Sequence, residues 1–95
     1  MNKKIDYLLR YVSNSTYNKI LTSSNNYTLE LLQNNFVDVN LNIKYLIRYG
    51  ITNIDKVICS MLLELTEEHS KFTKKIEEYE KKLTKEEVIT LLENM

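Results

Sequence analysis

The sequence predicts a small, mainly α-helical protein that dimerises through one long helix, and three observations carry this prediction. An apolar ladder from Ile58 to Leu83 alternates steps of four and three residues, which is the spacing of a coiled-coil seam. The chain has one glycine and no proline, so it lacks the residues that most often break helices. With 95 residues, it buries a limited fraction of its surface and gains stability from a second copy.

The N-terminal region is predicted to consist of short helices. Asn2 is suited to cap a first helix that runs to about Val12. A break rich in serine and asparagine follows, and a second helix is expected at 16–23. A further helix begins near Ile43 and ends at Gly50, which supplies a left-handed cap.

Residues 27–42 fit two structures. Val37, Val39 and Leu41 alternate with polar residues, as in a half-buried strand. Leu29, Leu32, Phe36, Val39 and Ile43 also fall at helical spacing. Because the run from Val37 contains poor helix formers, the sequence favours a β-hairpin here.

The long helix is predicted over 52–83 and carries the seam of a homodimer. The seam residues are Ile58, Leu62, Leu65, His69, Phe72, Ile76, Tyr79 and Leu83. Lysine and glutamate at the flanking positions suit parallel copies, although antiparallel pairing also remains open. Asp55 occupies the acidic position of a capping box if Thr52 begins the helix.

A terminal helix is expected over 84–95, because Thr84 and Glu87 have the spacing of a capping box. The chain is therefore predicted to be a single domain, with a contact region at 1–51, the dimerisation helix at 52–83 and the terminal helix at 84–95.

An internal echo links two parts of the chain. Residues 5–11 match residues 43–49 at five of seven positions, and 17–21 then resemble 54–58. Each copy predicts a helix, a break and a helix, which indicates either a duplication or two amphipathic helices of similar composition.

Charge and cysteine content restrict the function classes. Thirteen basic residues balance thirteen acidic ones, which excludes the strongly basic character of a dedicated nucleic-acid binder. The single cysteine, Cys59, excludes an internal disulfide and indicates a reducing compartment, so we expect a cytoplasmic protein. No apolar stretch is long enough for a membrane span.

Catalytic chemistry is not expected. The paired glutamates stand among lysines at helical spacing, as Glu67 does with Lys71, which is typical of a solvated helix surface. One histidine and one cysteine offer neither a nucleophile with its base nor a metal site. We therefore expect no enzyme activity, no cofactor, no metal and no small-molecule substrate.

Residues 12–21, with the sequence Val-Ser-Asn-Ser-Thr-Tyr-Asn-Lys-Ile-Leu, resemble the turn and recognition helix of helix-turn-helix DNA-binding regulators. The resemblance implies groove contacts from Ser15, Thr16, Asn18 and Lys19. We expect phosphate contacts from Arg10, Lys44 and Arg48, together with Lys3 and Lys4. A hairpin at 27–42 would take the place of the wing in winged members, and the dimer would space two half-sites.

A repeated tyrosine pattern supports a different partner. Tyr7, Tyr11, Tyr45 and Tyr49 lie on the predicted helices beside Arg10 and Arg48. Tyrosine and arginine are favoured at protein interfaces. The alternative function is therefore a protein-binding adaptor or inhibitor of a larger complex. A purely structural interpretation is that these tyrosines complete the hydrophobic core.

Overall fold

A 3-10 helix and seven α-helices follow one another along residues 5–95, which are the residues that the computed structural model describes. The 3-10 helix spans Asp6–Arg10. The α-helices are α1 (Asn14–Ser23), α2 (Asn26–Asn34), α3 (Phe36–Tyr49), α4 (Ile54–Ser60), α5 (Leu62–Leu65), α6 (His69–Glu80) and α7 (Lys85–Glu93). There is no β-strand between residues 5 and 95.

Local capping signals set several of these boundaries. The Ser13 hydroxyl accepts a hydrogen bond from the Thr16 backbone N–H at the start of α1. Thr84 and Glu87 form the predicted capping box at α7, with bonds of 2.8 and 3.2 Å. Gly50 ends α3 with a φ of 121°, a conformation that L side chains rarely adopt. The predicted capping box and the predicted glycine stop are both confirmed.

The hairpin predicted at 27–42 is wrong, because these residues form α2 and the first half of α3. A strand would place Val37, Val39 and Leu41 on one face. Instead, Val39 is fully buried while the other two are exposed. The helical spacing that begins at Leu29 decided the structure, since burial against neighbouring helices outweighs the weak preference of valine and asparagine for extended backbone.

The long helix predicted at 52–83 is also wrong. The chain turns at Met61 and again between α5 and α6, so the segment holds three helices. Ile58, Leu65, Phe72 and Ile76 are buried in the core of the single chain. Leu62, His69 and Leu83 are partly buried, and Tyr79 is exposed. An apolar ladder shows that one face of a segment is covered, and here the covering helices belong to the same chain.

The helices of residues 5–95 fall into three consecutive units that stack on one another. The first unit consists of the 3-10 helix, α1 and α2, the second of α3, α4 and α5, and the third of α6 and α7. Equivalent helices of consecutive units pack together: α1 against α4, α4 against α7, α2 against α5 and α3 against α6. This is the packing scheme of helical-repeat proteins. Of the two echo segments, 5–11 contains the 3-10 helix of the first unit, and 43–49 forms the C-terminal half of α3 in the second unit.

Acidic side chains of one unit cap helices of another. Asp55 Oδ2 of α4 accepts hydrogen bonds from Ser13 N (3.1 Å) and Thr16 Oγ1 (2.8 Å) at the start of α1. Glu93 Oε2 of α7 accepts bonds from Thr52 N (2.9 Å) and Asn53 N (3.2 Å) at the start of α4. These bonds hold the pKa of both carboxyl groups below their ordinary values. The same device therefore joins the first unit to the second and the second to the third.

No helix within residues 5–95 has the length and apolar content needed to cross a membrane. The molecule is elongated, with principal extents of 44 × 25 × 20 Å.

Candidate interaction surface

The four tyrosines of the predicted interaction face connect helices to one another. The Tyr7 hydroxyl donates to the Leu32 carbonyl and the Tyr11 hydroxyl to Asn40 Oδ1, both at 2.6 Å. Tyr49 is buried, and its hydroxyl donates to Glu80. Burial raises the pKa of both Tyr7 and Tyr49. Three of the four hydroxyls are thus engaged within the chain.

Tyr45 and Tyr49 take part in a groove where α3, α6 and the start of α7 meet. The groove has a volume of about 310 Å³ and is lined by Tyr45, Arg48, Tyr49, His69 and Lys85. The Lys85 ammonium lies 5.3 Å from the centre of the Tyr49 ring, within range of a cation–π interaction. Arginine, lysine and histidine side chains from three helices are therefore gathered around two phenol rings.

Asn42 positions the histidine of this groove. Its side chain is fully buried, and its amide nitrogen donates to the carbonyls of Leu65 (2.9 Å) and Glu67 (3.0 Å). Its Oδ1 is left to accept a hydrogen bond from Nδ1 of His69, 2.7 Å away. This arrangement assigns the proton of a neutral ring to Nδ1 and leaves Nε2 as an acceptor.

The outer face of α3 carries an exposed apolar stripe next to the groove. Val37 is 58% exposed and Leu41 is 39% exposed. Lys44 and Arg48 continue the same face, because steps of four, three and four residues keep side chains on one side of a helix. Phe36 and Ile47 of the same helix are also exposed. We call Val37, Leu41, Lys44 and Arg48 the α3 stripe.

Carboxylates flank this surface on α6. Glu80 accepts the Tyr49 hydrogen bond, and the charges of Glu80 and Glu77 raise the pKa of Tyr45 after the larger effect of burial. The positive charges of the groove are therefore partly balanced by these carboxylates. In the α3 stripe, by contrast, two basic residues lie beside exposed aliphatic side chains.

The residues expected to contact nucleic acid occupy two separate places. On α1, Ser15, Asn18 and Lys19 are exposed, whereas the Thr16 hydroxyl donates to Asp55. On the first helices of the first two units, the exposed cations are Arg10, Lys44 and Arg48. Lys3 and Lys4 lie outside the described residues. The helix before α1 is a 3-10 helix of five residues.

Several residues of this surface were not singled out by the sequence. Val37 and Leu41 fitted the inner face of a strand, and Lys85 resembled an ordinary first-turn residue. Asn42 had no local signal, because its partners lie 23 to 27 residues away.

The described residues contain no cluster of three or more histidine, cysteine or acidic side chains that is placed to hold a metal ion. Burial raises the pKa of the Cys59 thiol, so the reactive thiolate is disfavoured at neutral pH.

Comparisons with protein-family models, with curated proteins and with solved structures find no match to this chain.

Proposed function

We propose that the protein is a non-enzymatic interaction protein whose α3 stripe binds a segment of a partner protein. The observation that carries this proposal is the exposure of Val37 and Leu41 on the first helix of the central unit. Contiguous exposed apolar residues rimmed by polar groups are typical of protein-binding sites. The balanced charge of the chain also suits a protein partner better than a polyanion.

The chemistry of the stripe limits the partner. Two aliphatic side chains at the start of α3 are followed by Lys44 and Arg48, one turn apart. An amphipathic helix can place its apolar positions on Val37 and Leu41 and its acidic residues on the two cations. Arg48 also lines the groove together with Lys85. An acidic side chain of the partner that binds Arg48 therefore has Lys85 as a further cation in the same groove.

The proposal is tested by affinity capture with matched variants. The double variant Val37→Asp/Leu41→Asp places charges on the stripe, and Tyr27→Asp changes a residue of α2 that is still more exposed. We expect a protein that binds the wild type and Tyr27→Asp to be lost with the double variant. Circular dichroism checks that all three keep their helices. Capture that is unaffected by the double variant would contradict this function.

A second candidate, DNA binding by α1 in the manner of helix-turn-helix regulators, is favoured by one observation. Ser15, Asn18 and Lys19 are all exposed on a helix that follows a break in the chain. Titration onto duplex DNA at about 50 and 150 mM salt separates the two candidates, because phosphate contacts weaken steeply with salt. Under this candidate, Lys19→Ala weakens binding and Val37→Asp/Leu41→Asp leaves it unchanged.

Dimerisation remains a prediction, although the coiled-coil route to it is excluded by the fold. Two of the seam residues, Tyr79 near the C-terminal end of α6 and Leu83 beyond that helix, lie on a surface that offers a different dimer interface.

A further inference from the structure

Within residues 5–95, the third unit stacks on the second through contacts of α6 with α3 and of α7 with α4. Glu80 of α6 bonds to Tyr49 of α3, and Glu93 of α7 bonds to residues before α4. Each residue of a helix turns by about 100°, so Glu78, two positions from Glu80, faces away from α3. By the same rotation, Leu91 faces away from α4.

The outward flank of the third unit carries a groove of about 480 Å³. Its lining residues are Glu78, Tyr79, Lys82, Leu83 and Leu91. Tyr79 is 38% exposed and Leu91 is 39% exposed, whereas the terminal units of helical-repeat proteins need a polar outer face for solubility. We call these five residues the end face.

The end face continues the interface that joins the units. Where the third unit meets the second, Tyr45 and Tyr49 of α3 lie beside Phe72 and Glu80 of α6. The end face likewise combines a tyrosine, aliphatic side chains and charged residues. It therefore has the composition of a unit-to-unit contact.

We propose that the end face binds the end face of a second copy of this chain, related by a two-fold axis. Glu78, near the end of α6, and Lys82, in the turn that follows α6, both border the groove. A two-fold axis between them places each Glu78 opposite Lys82 of the other copy, so the surface is complementary to itself. Within one copy Glu78 lies 3.0 Å from Lys81, but both side chains are more than two-thirds exposed. Such an exposed pair contributes little and is readily exchanged for a contact between copies.

The size of the end face sets the strength of this dimer. The flank of two helices buries on the order of 500 Å² per copy, at the low end for specific interfaces, where weak and transient association is typical. We therefore expect a Kd of about 10 to 100 μM. The dimer is thus much weaker than a coiled coil built on the full predicted seam. It is also separate from the α3 stripe, so this proposal and the proposed function can fail independently.

Sedimentation equilibrium from about 5 to 500 μM measures the association around the expected Kd. Glu78→Lys and Lys82→Glu each create like-charge pairs across the two-fold axis, and we expect each variant alone to associate at least about ten times more weakly. In an equimolar mixture of the two variants, both charge pairs become opposite, and association returns to within about threefold of the wild type. Leu63→Asp, an exposed apolar position of α5, is the matched control and leaves the Kd unchanged.

Three results would overturn the proposal. The first is a wild type that stays monomeric throughout this range, and the second is a mixture that associates no better than its separate components. The third is a series of larger species that grows with concentration, because a head-to-tail contact does not close as a two-fold contact does. Leu91→Asp provides a second check, since it removes apolar contact without changing Glu78 or Lys82. We expect it to weaken association at least about tenfold while the circular dichroism spectrum is unchanged.

Discussion

The carboxylate of Asp55 accepts a 3.1 Å hydrogen bond from the backbone N–H of Ser13, 42 residues earlier in the chain. The hydroxyl of Thr16 donates to the same oxygen. An acidic side chain of the second unit therefore completes the N-terminal cap of a helix in the first.

Asp55→Ala removes this cap from α1. We expect a loss of about 1 kcal/mol in the free energy of unfolding, which lowers the melting temperature by about 4 to 8 °C in a domain of this size. Thermal unfolding followed by circular dichroism measures the change. Glu30→Ala removes an exposed carboxylate of α2 and serves as the control. Equal melting temperatures for the two variants would show that the Asp55 contacts add no stability.

Stability should fall in acid because of the two carboxylates that join the units. The pKa values of Asp55 and Glu93 are lowered from 3.8 and 4.5 by hydrogen bonds to the folded backbone. The folded state therefore binds these protons less readily than the unfolded chain does. Their stabilisation is complete above the unfolded pKa values and is lost as the pH falls through the folded ones.

The acid effect is measured as the melting temperature between about pH 6 and pH 3. The double variant Asp55→Asn/Glu93→Gln should begin with a lower melting temperature and decline less over this range. A decline as steep as that of the wild type would assign the acid sensitivity to other carboxylates.

Asn42 supports a prediction about the buried polar contacts. Asn42→Leu leaves the carbonyls of Leu65 and Glu67 without their side-chain donor and removes the partner of His69. Unsatisfied buried polar groups cost about 1 to 3 kcal/mol each, so we expect a loss of at least about 2 kcal/mol in urea unfolding. Asn34→Leu, at an exposed position, should change stability by less than about 0.5 kcal/mol.

Leu65 distinguishes the observed core from the predicted seam. It is fully buried within one chain, and Leu65→Ala should therefore cost about 2 to 5 kcal/mol at any protein concentration. A coiled-coil seam would instead give a loss that depends on concentration. Urea unfolding at two protein concentrations a hundredfold apart separates these cases.

The features that the sequence predicted correctly depend on neighbouring residues. The cap formed by Thr84 and Glu87 is complete within four residues, and Gly50 needs only its own backbone freedom to end α3. The contact made by Asp55 could not be predicted from neighbouring residues. Its spacing from Thr52 suggested a cap for its own helix, but it caps α1, and Glu93 binds Thr52 in its place.

The errors came from patterns that describe one face of a segment without identifying what covers it. The ladder through Leu65 and Phe72 fits a long helix paired with a partner as well as short helices folded against α3. The alternation of Val37, Val39 and Leu41 fits a strand and also a helix with its side chains divided between core and solvent. The α3 stripe was not predicted for this reason, because Val37 and Leu41 were assigned to the buried face of a strand.

Equivalent helices of consecutive units pack together, so each unit is stabilised by the units next to it. The central unit is the one with a neighbour on each side, whereas the first and third units each have one. Opening should therefore begin at the two ends and reach the centre last. Amide hydrogen exchange should be slowest in α3, the same helix that presents the stripe, so a partner would meet a surface that is already rigid.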